Sequence, residues 1–342
     1  VGASAQVQDL PAGLVQQASQ IDAGGEAQIR EYLKQPLEML GGDDPEKLRI
    51  GRGRILEMVG PQRSPSVPFR LAYSRVLTTE LDKLMGEGEM AQINALVVAG
   101  ELATDGAMEL LEKGRKSATA SVRFQAAAGA ERTITLYNQG VAVNAAALAE
   151  GTTLSLLRAL GETLKTEADA LVLDKSMAAL AAAVQNARLR EEAVKQLDEG
   201  LLALGEKYKG KAVPVELLQA FGRVSSDLRQ ALLSVGAGGL TQNVQAGAGG
   251  IAATIAWMTN TSIKAKVIAV GAGGETIRQH VGAAVGAAES LGNFVTQNAQ
   301  AFDLSAKIRR GDNAGDAEFL DASQRFVGLM QSKARVAATR YK

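Results

Sequence analysis

The sequence predicts an all-α protein built from stacked pairs of antiparallel helices. Three observations lead there. Apolar residues recur at steps of three and four along most of the chain, the period of an amphipathic helix. No stretch carries the two-residue alternation of a half-buried strand. The chain also copies itself. Sliding Ile93–Leu102 forward by 29 residues lays Ile93 on Val122, Ala95 on Phe124, Ala99 on Ala128 and Gly100 on Gly129. A helical pair of this size cannot bury its apolar face alone, so copies stack into a solenoid.

Residues 1–25 carry little periodicity and are read as a leader. Ala3-Ser4-Ala5 has the small-x-small form that a signal peptidase cuts, so export to the periplasm or outside the cell is expected, the alternative being an ordinary disordered start on a cytoplasmic chain. A first helix runs from Glu26 to Leu40 with Pro36 as a kink or break. Asp44-Pro45 supplies an N-cap and a first-turn proline for a helix reaching Val59, weakened by Gly51 and Gly53. Ser66 caps Val67–Met85, where Phe69, Tyr73, Val76, Leu77, Leu81 and Leu84 share a face. The run Ile93–Leu102 breaks at Thr104-Asp105-Gly106, a short run Ala107–Lys113 follows, and the copy opens at Ser121.

Helices are then expected over Val141–Glu150, Thr152–Thr166, Ser176–Asn186 capped by Asp174, Leu189–Leu204, and a run started by Pro214. At Gly236 the texture changes: Gly-Ala-Gly-Gly occurs at 236–239, 247–250 and 271–274, with the only tryptophan, Trp257, between the last two. A helix resumes after Glu275, Arg309–Gly315 is a polar turn, and Ala317–Met330 is the final helix. The organisation expected is helical repeats over 26–235, a Gly/Ala-rich helical region over 236–330 and a basic tail over 331–342.

Composition narrows the function. The 342 residues carry 37 basic and 37 acidic side chains, so no whole-molecule field draws nucleic acid or an anionic membrane. Cysteine is absent and His280 is the only histidine, which excludes disulfides, Cys-ligated zinc and multi-histidine metal sites. No window is long and apolar enough for a transmembrane helix. No G-x-S-x-G or H-E-x-x-H motif occurs, and no catalytic residue, metal ligand or resident cofactor is assigned.

The string Ser121-Val122-Arg123-Phe124-Gln125-Ala126-Ala127-Ala128 resembles the first helix of a HEAT-like repeat, as does Asn94-Ala95-Leu96-Val97-Val98-Ala99-Gly100. The resemblance covers residues 90–135, with a spacing shorter than the usual HEAT period of roughly 40. It implies a HEAT-like α-solenoid, a curved scaffold that binds other macromolecules, and it specifies no catalytic residues. A non-enzymatic protein-binding scaffold is therefore the expectation.

Three other features compete with that reading. Lys266–Glu275 has the form of a strand, a glycine turn and a helix start. That would make Gly271, Gly273 and Gly274 a phosphate loop in a nucleotide-binding enzyme or regulator, with Glu289 at a distance suited to a ribose. Against it, position 276 is Thr where the third glycine belongs. Arg49, Arg52, Arg54, Arg63, Arg70 and Arg75, with Lys47, span a stretch whose only acid is Glu57, and would form an anion patch if the helices gathered them. Gly282, Gly286 and Ser290 make a small-residue line on one helix, a candidate seam for a homo-oligomer. Asp312–Asp316 begins like a calcium loop but lacks the glutamate at its twelfth position, where Ser323 stands.

Overall fold

Among the described residues of the computed structural model (9–60, 62–63, 65–140, 148–271 and 274–341), every regular element is helical and no strand is present. The helices are α1 (Ala12–Val15), α2 (Ala23–Leu40), α3 (Pro45–Glu57), α4 (Val67–Leu84), α5 (Glu89–Leu102), α6 (Asp105–Arg115) and α7 (Ala120–Asn138). They continue as α8 (Glu150–Thr166), α9 (Ala170–Ala183), α10 (Arg190–Tyr208), α11 (Val215–Leu233) and α12 (Gln242–Lys264). The last are α13 (Glu275–Thr296), α14 (Leu304–Arg309) and α15 (Asn313–Lys333). Helices pack in neighbouring pairs in a solenoid-like arrangement. Two units divide at Leu156/Leu157, within α8, and not near 235 where the glycine content rises.

In the first unit α2 packs on α3, α4 on α5, α5 on α6 and α6 on α7, and from α2 to α5 each helix also packs on the helix two places on. α2, α4 and α6 form one layer; α3, α5 and α7 form the other. The local signals are those of helix ends. The Asp44 carboxylate accepts from the Glu46 and Lys47 amides, and Ser66 Oγ accepts from the Phe69 amide. Ala103 takes a left-handed conformation (φ 49°) and ends α5, and the Thr104 hydroxyl caps α6. Pro36 lies inside α2 without ending it. Within residues 9–25, Leu10, Val15 and Ile21 are buried, and the Ser66 amide donates to the Val15 carbonyl. The copied glycines meet directly. A Cβ built on Gly100 would stand 2.7 Å from Gly129 Cα and 3.0 Å from its carbonyl oxygen. Only a pair lacking side chains lets α5 and α7 approach so closely. The helix expected over Val141–Glu150 falls mostly on 141–147, outside the described residues.

The second unit repeats the pattern. α9 packs on α11, α10 on α12, and α11 on α13. Leu164 of α8 sits against Gly200 of α10. The cap of α9 is Asp169, whose carboxylate accepts from the Leu171 and Val172 amides. Asp174 lies inside the helix and pairs with Arg223 of α11. The Gly-Ala-Gly-Gly at 247–250 breaks nothing. It is buried in the interior of α12 and admits Val194 of α10 against Gly247 and Asp198 against Gly250. α15 begins earlier than expected because Asp312 caps it, accepting from the Gly315 amide. That accounts for the calcium-like Asp312–Asp316 string.

The expected basic tail is docked. Ala338–Tyr341 forms a 3-10 turn, Tyr341 Oη donates to the Gly250 carbonyl at 3.0 Å, and the Tyr341 ring lies 5.6 Å from that of Trp257. Arg340 pairs with the buried Asp198 at 2.7 Å. Burial nevertheless pushes the Asp198 carboxyl up to about 6, against the opposing pull of Arg340.

Candidate functional site

The connection between α12 and α13 is where the glycine-rich alternative would lie. α12 ends because Lys266 adopts a left-handed conformation (φ 56°), its amide still donating to the Ile263 carbonyl. The following residues are neither strand nor helix. Ile268 is buried, while Val267 and Val270 are 39% and 49% exposed.

One side chain fastens this segment. Arg278, on the first turns of α13, is 1% exposed. Its Nε donates to the Ala269 carbonyl at 2.8 Å and its Nη1 to the Ile308 carbonyl at 3.1 Å. The Asp316 carboxylate is bound in fork geometry, at 2.7 and 3.0 Å. The Gly271 amide donates to the Gly311 carbonyl. One guanidinium thus joins the connection, the end of α14 and the start of α15.

The phosphate-loop expectation falls on this connection. No strand precedes the glycines, and a Cβ on Gly274 would fall 2.0 Å from the Ala269 carbonyl oxygen. That oxygen therefore lies against the residue opening α13, where a phosphate would have to approach. Gly273 lies outside the described residues. Glu289 is no ribose partner. It is buried, and its carboxylate accepts from the Asp303 and Leu304 amides at 3.0 and 2.9 Å and from that of Phe302, capping α14.

The proposed oligomer seam is partly covered from within. A Cβ on Gly282 would stand 2.7 Å from Arg309 Nε, and one on Gly286 would stand 3.1 Å from Ser305 Cβ, both residues of α14. Gly286 and Ser290 also line a shallow groove between α11 and α13 with Arg229 and Gln230. His280 is half-buried on α13.

The arginines of the first unit are not pooled into one bare patch. Arg49 binds Glu46 on its own helix, Arg63 binds Glu57 and Asp9, and Arg75 binds Glu26 of α2. Arg54 donates to the Gln35 side chain, and burial lowers the pKa of Arg70. Arg52 is half-buried on α3. Two of these carboxylates, Glu46 and Glu57, are on α3 itself, and two, Asp9 and Glu26, come from elements outside the 47–75 window.

The feature that sequence reading missed is next to the fastened segment. Leu218, Val267, Ile268, Ile277 and Val281 line a cleft, with Lys211 at its edge, holding about 340 Å³ of space that includes its opening to solvent. Its hydroxyls donate to backbone carbonyls: Thr259 Oγ1 to that of Ile255, and Ser262 Oγ to those of Met258 on its own helix and Lys211 beyond the end of α10. The wall is therefore effectively apolar. On the scale by which small-molecule sites start near about 300 Å³, the cleft itself offers only about 40 Å³. Partly open, it fits a single aliphatic side chain and is too small for a nucleotide.

Two Lys-x-Lys runs lie next to cleft-lining residues in the chain, and Lys211 itself lines the cleft. Lys207 stands in the last turn of α10, with Lys209 and Lys211 just beyond it; Lys264 is the last residue of α12 and Lys266 follows. Helix C-termini favour such cations. The runs are brought together by the Gly210 amide donating to Thr261 Oγ1 at 3.2 Å and by contact between Gly210 and Ala265. Lys209 Nζ lies 5.3 Å from the Trp257 ring centroid. Among the described residues, Lys207, Lys211, Lys264 and Lys266 form no ion pair, and neither do the neighbouring Glu206 and Glu275. A signal was present in the spacing, but the runs are about 50 residues apart and only the fold joins them.

The chain matches no known protein-family model and no curated protein. It aligns with a solved structure titled "Crystal Structure of Engineered Protein" at 16% identity, over 94% of this chain and 99% of that one, with a TM-score of 0.20. Overlap that low carries no statement about fold or function. Among the described residues no helix is long and apolar enough to cross a membrane, and no cluster of His, Asp and Glu is arranged to hold a metal.

Proposed function

We propose that this chain is a non-enzymatic, protein-binding scaffold of HEAT-like stacked helical pairs, and that it engages its partner through the cleft beside α12. The observation that carries this is the exposure of Val267 and Val270 on a segment that Arg278 holds in place. Apolar side chains held rigidly in water lose little conformational entropy on docking, so such a surface is prepared for a partner. The copied helices and the glycine-to-glycine approach of α5 and α7 support kinship with HEAT-like repeats.

The test uses the immobilised whole chain and a Val267→Ser/Val270→Ser variant, each exposed to extract from the native source. The variant is expected to keep the far-ultraviolet circular dichroism of the parent and to lose a protein that the parent retains. Identical recovery by both would contradict the reading. So would a saturable rise in melting temperature with a nucleotide, which would favour the phosphate-binding alternative.

A further inference from the structure

The lysine rim and the apolar cleft together specify more than a generic surface. Lys211 lines the slot, Lys264 and Lys266 lie just before its Val267 wall in the chain, and the two hydroxyls of the wall, Thr259 and Ser262, donate to backbone carbonyls, next to two exposed valines. The chain as a whole is neutral, so this is a local concentration of charge and not a consequence of composition.

An anionic ligand is drawn to the rim, and an aliphatic group to the slot. The slot has room for one side chain and not for an acyl chain, which favours a polypeptide over a lipid. We infer that the cleft receives an acidic segment of a partner protein, one aliphatic side chain entering between Leu218 and Val281 while flanking carboxylates meet Lys211, Lys264 and Lys266. This rests on the scaffold reading and names the chemistry of its partner. Charge complementarity of this kind acts mainly on the association rate and on selectivity, with the buried side chain setting the lifetime.

The experiment is fluorescence anisotropy on the full chain with three short dye-labelled peptides. The first alternates glutamate and aspartate with leucine. In the second, serine replaces every leucine; in the third, glutamine and asparagine replace every acid. The first is expected to bind with an affinity that falls as salt is raised, and the other two to bind at least about tenfold more weakly. A Lys211→Glu/Lys264→Glu variant alters only exposed side chains and is expected to lose about tenfold for the first peptide. Equal binding of all three peptides, or no loss in the variant, would overturn the proposal. So would retention on phosphatidylglycerol vesicles, or saturable binding of laurate, with no binding of the acidic peptide. If the peptide fails while the Val267/Val270 variant still loses a native partner, this inference falls and the scaffold reading stands. If both fail, both fall.

Discussion

Replacing Arg278 with methionine is expected to destabilise the second unit by about 3–5 kcal/mol. The methionine matches much of the volume but supplies none of the charge. It strands the Asp316 carboxylate and leaves the Ala269 and Ile308 carbonyls without their donor. Breaking one side of a buried pair costs far more than replacing both sides, because the remaining charge stays desolvated. An Arg278→Met/Asp316→Leu variant should therefore recover part of the loss, though the two carbonyls remain unpaired. Trp257, buried in α12, reports the transition. The midpoint of its fluorescence change in urea should fall clearly in the single variant and less in the double. Equal loss in both would mean the pair contributes only as packing.

Gly100→Val is expected to cost about 3 kcal/mol or more, at or beyond the upper end of ordinary overpacking. The obstacle is backbone: Gly129 Cα at 2.7 Å and its carbonyl oxygen at 3.0 Å from the new Cβ. Neither can rotate aside as a side chain would, so α5 and α7 must separate. The carbonyl of Gly100 also accepts from the Thr133 hydroxyl of α7, at 3.2 Å, and that bond would be disturbed by the same displacement. Gly53→Ala is the control. It stands inside α3 with nothing within 4 Å of the new Cβ, so it should be neutral or stabilising by roughly 0.5–1 kcal/mol. Urea unfolding followed by far-ultraviolet circular dichroism compares the two. Similar effects at both positions would remove the close approach as the explanation.

The helices were legible because their signals are local. Asp44-Pro45, Ser66 and the apolar spacing of α4 and α11 each act within a turn or two. The register of α5 on α7 was legible for another reason: the two glycines that must touch are also equivalent in the copied segment. Misreadings arose where a residue's role depends on distant chain. Asp174 has a capper's chemistry, but Asp169 precedes the apolar run that starts the helix. α14 has six residues, too few for periodicity to register, and its cap, Glu289, comes from another helix.

The site shows the same division. An arginine in an amphipathic helix ordinarily faces water. Arg278 is buried because Asp316, 38 residues on, meets it. Val267–Val270 carries the composition of a strand, yet no neighbouring strand exists among the described residues to pair with it. Left unpaired and fastened through Ala269, it became the lip of a cleft.

The claim beneath this account is that each helix stacks on the helix two places along, so that α4 meets α6 as α5 meets α7. The Ser74 and Thr104 side-chain oxygens, one on α4 and one at the cap of α6, are 2.7 Å apart. Cysteines at both positions lie within reach of a disulfide, and the parent chain has no cysteine to compete. Mild oxidation of the folded Ser74→Cys/Thr104→Cys variant, followed by titration of free thiols, should find essentially none, with the helical signal unchanged. Two free thiols on a chain that remains helical would contradict the stacking.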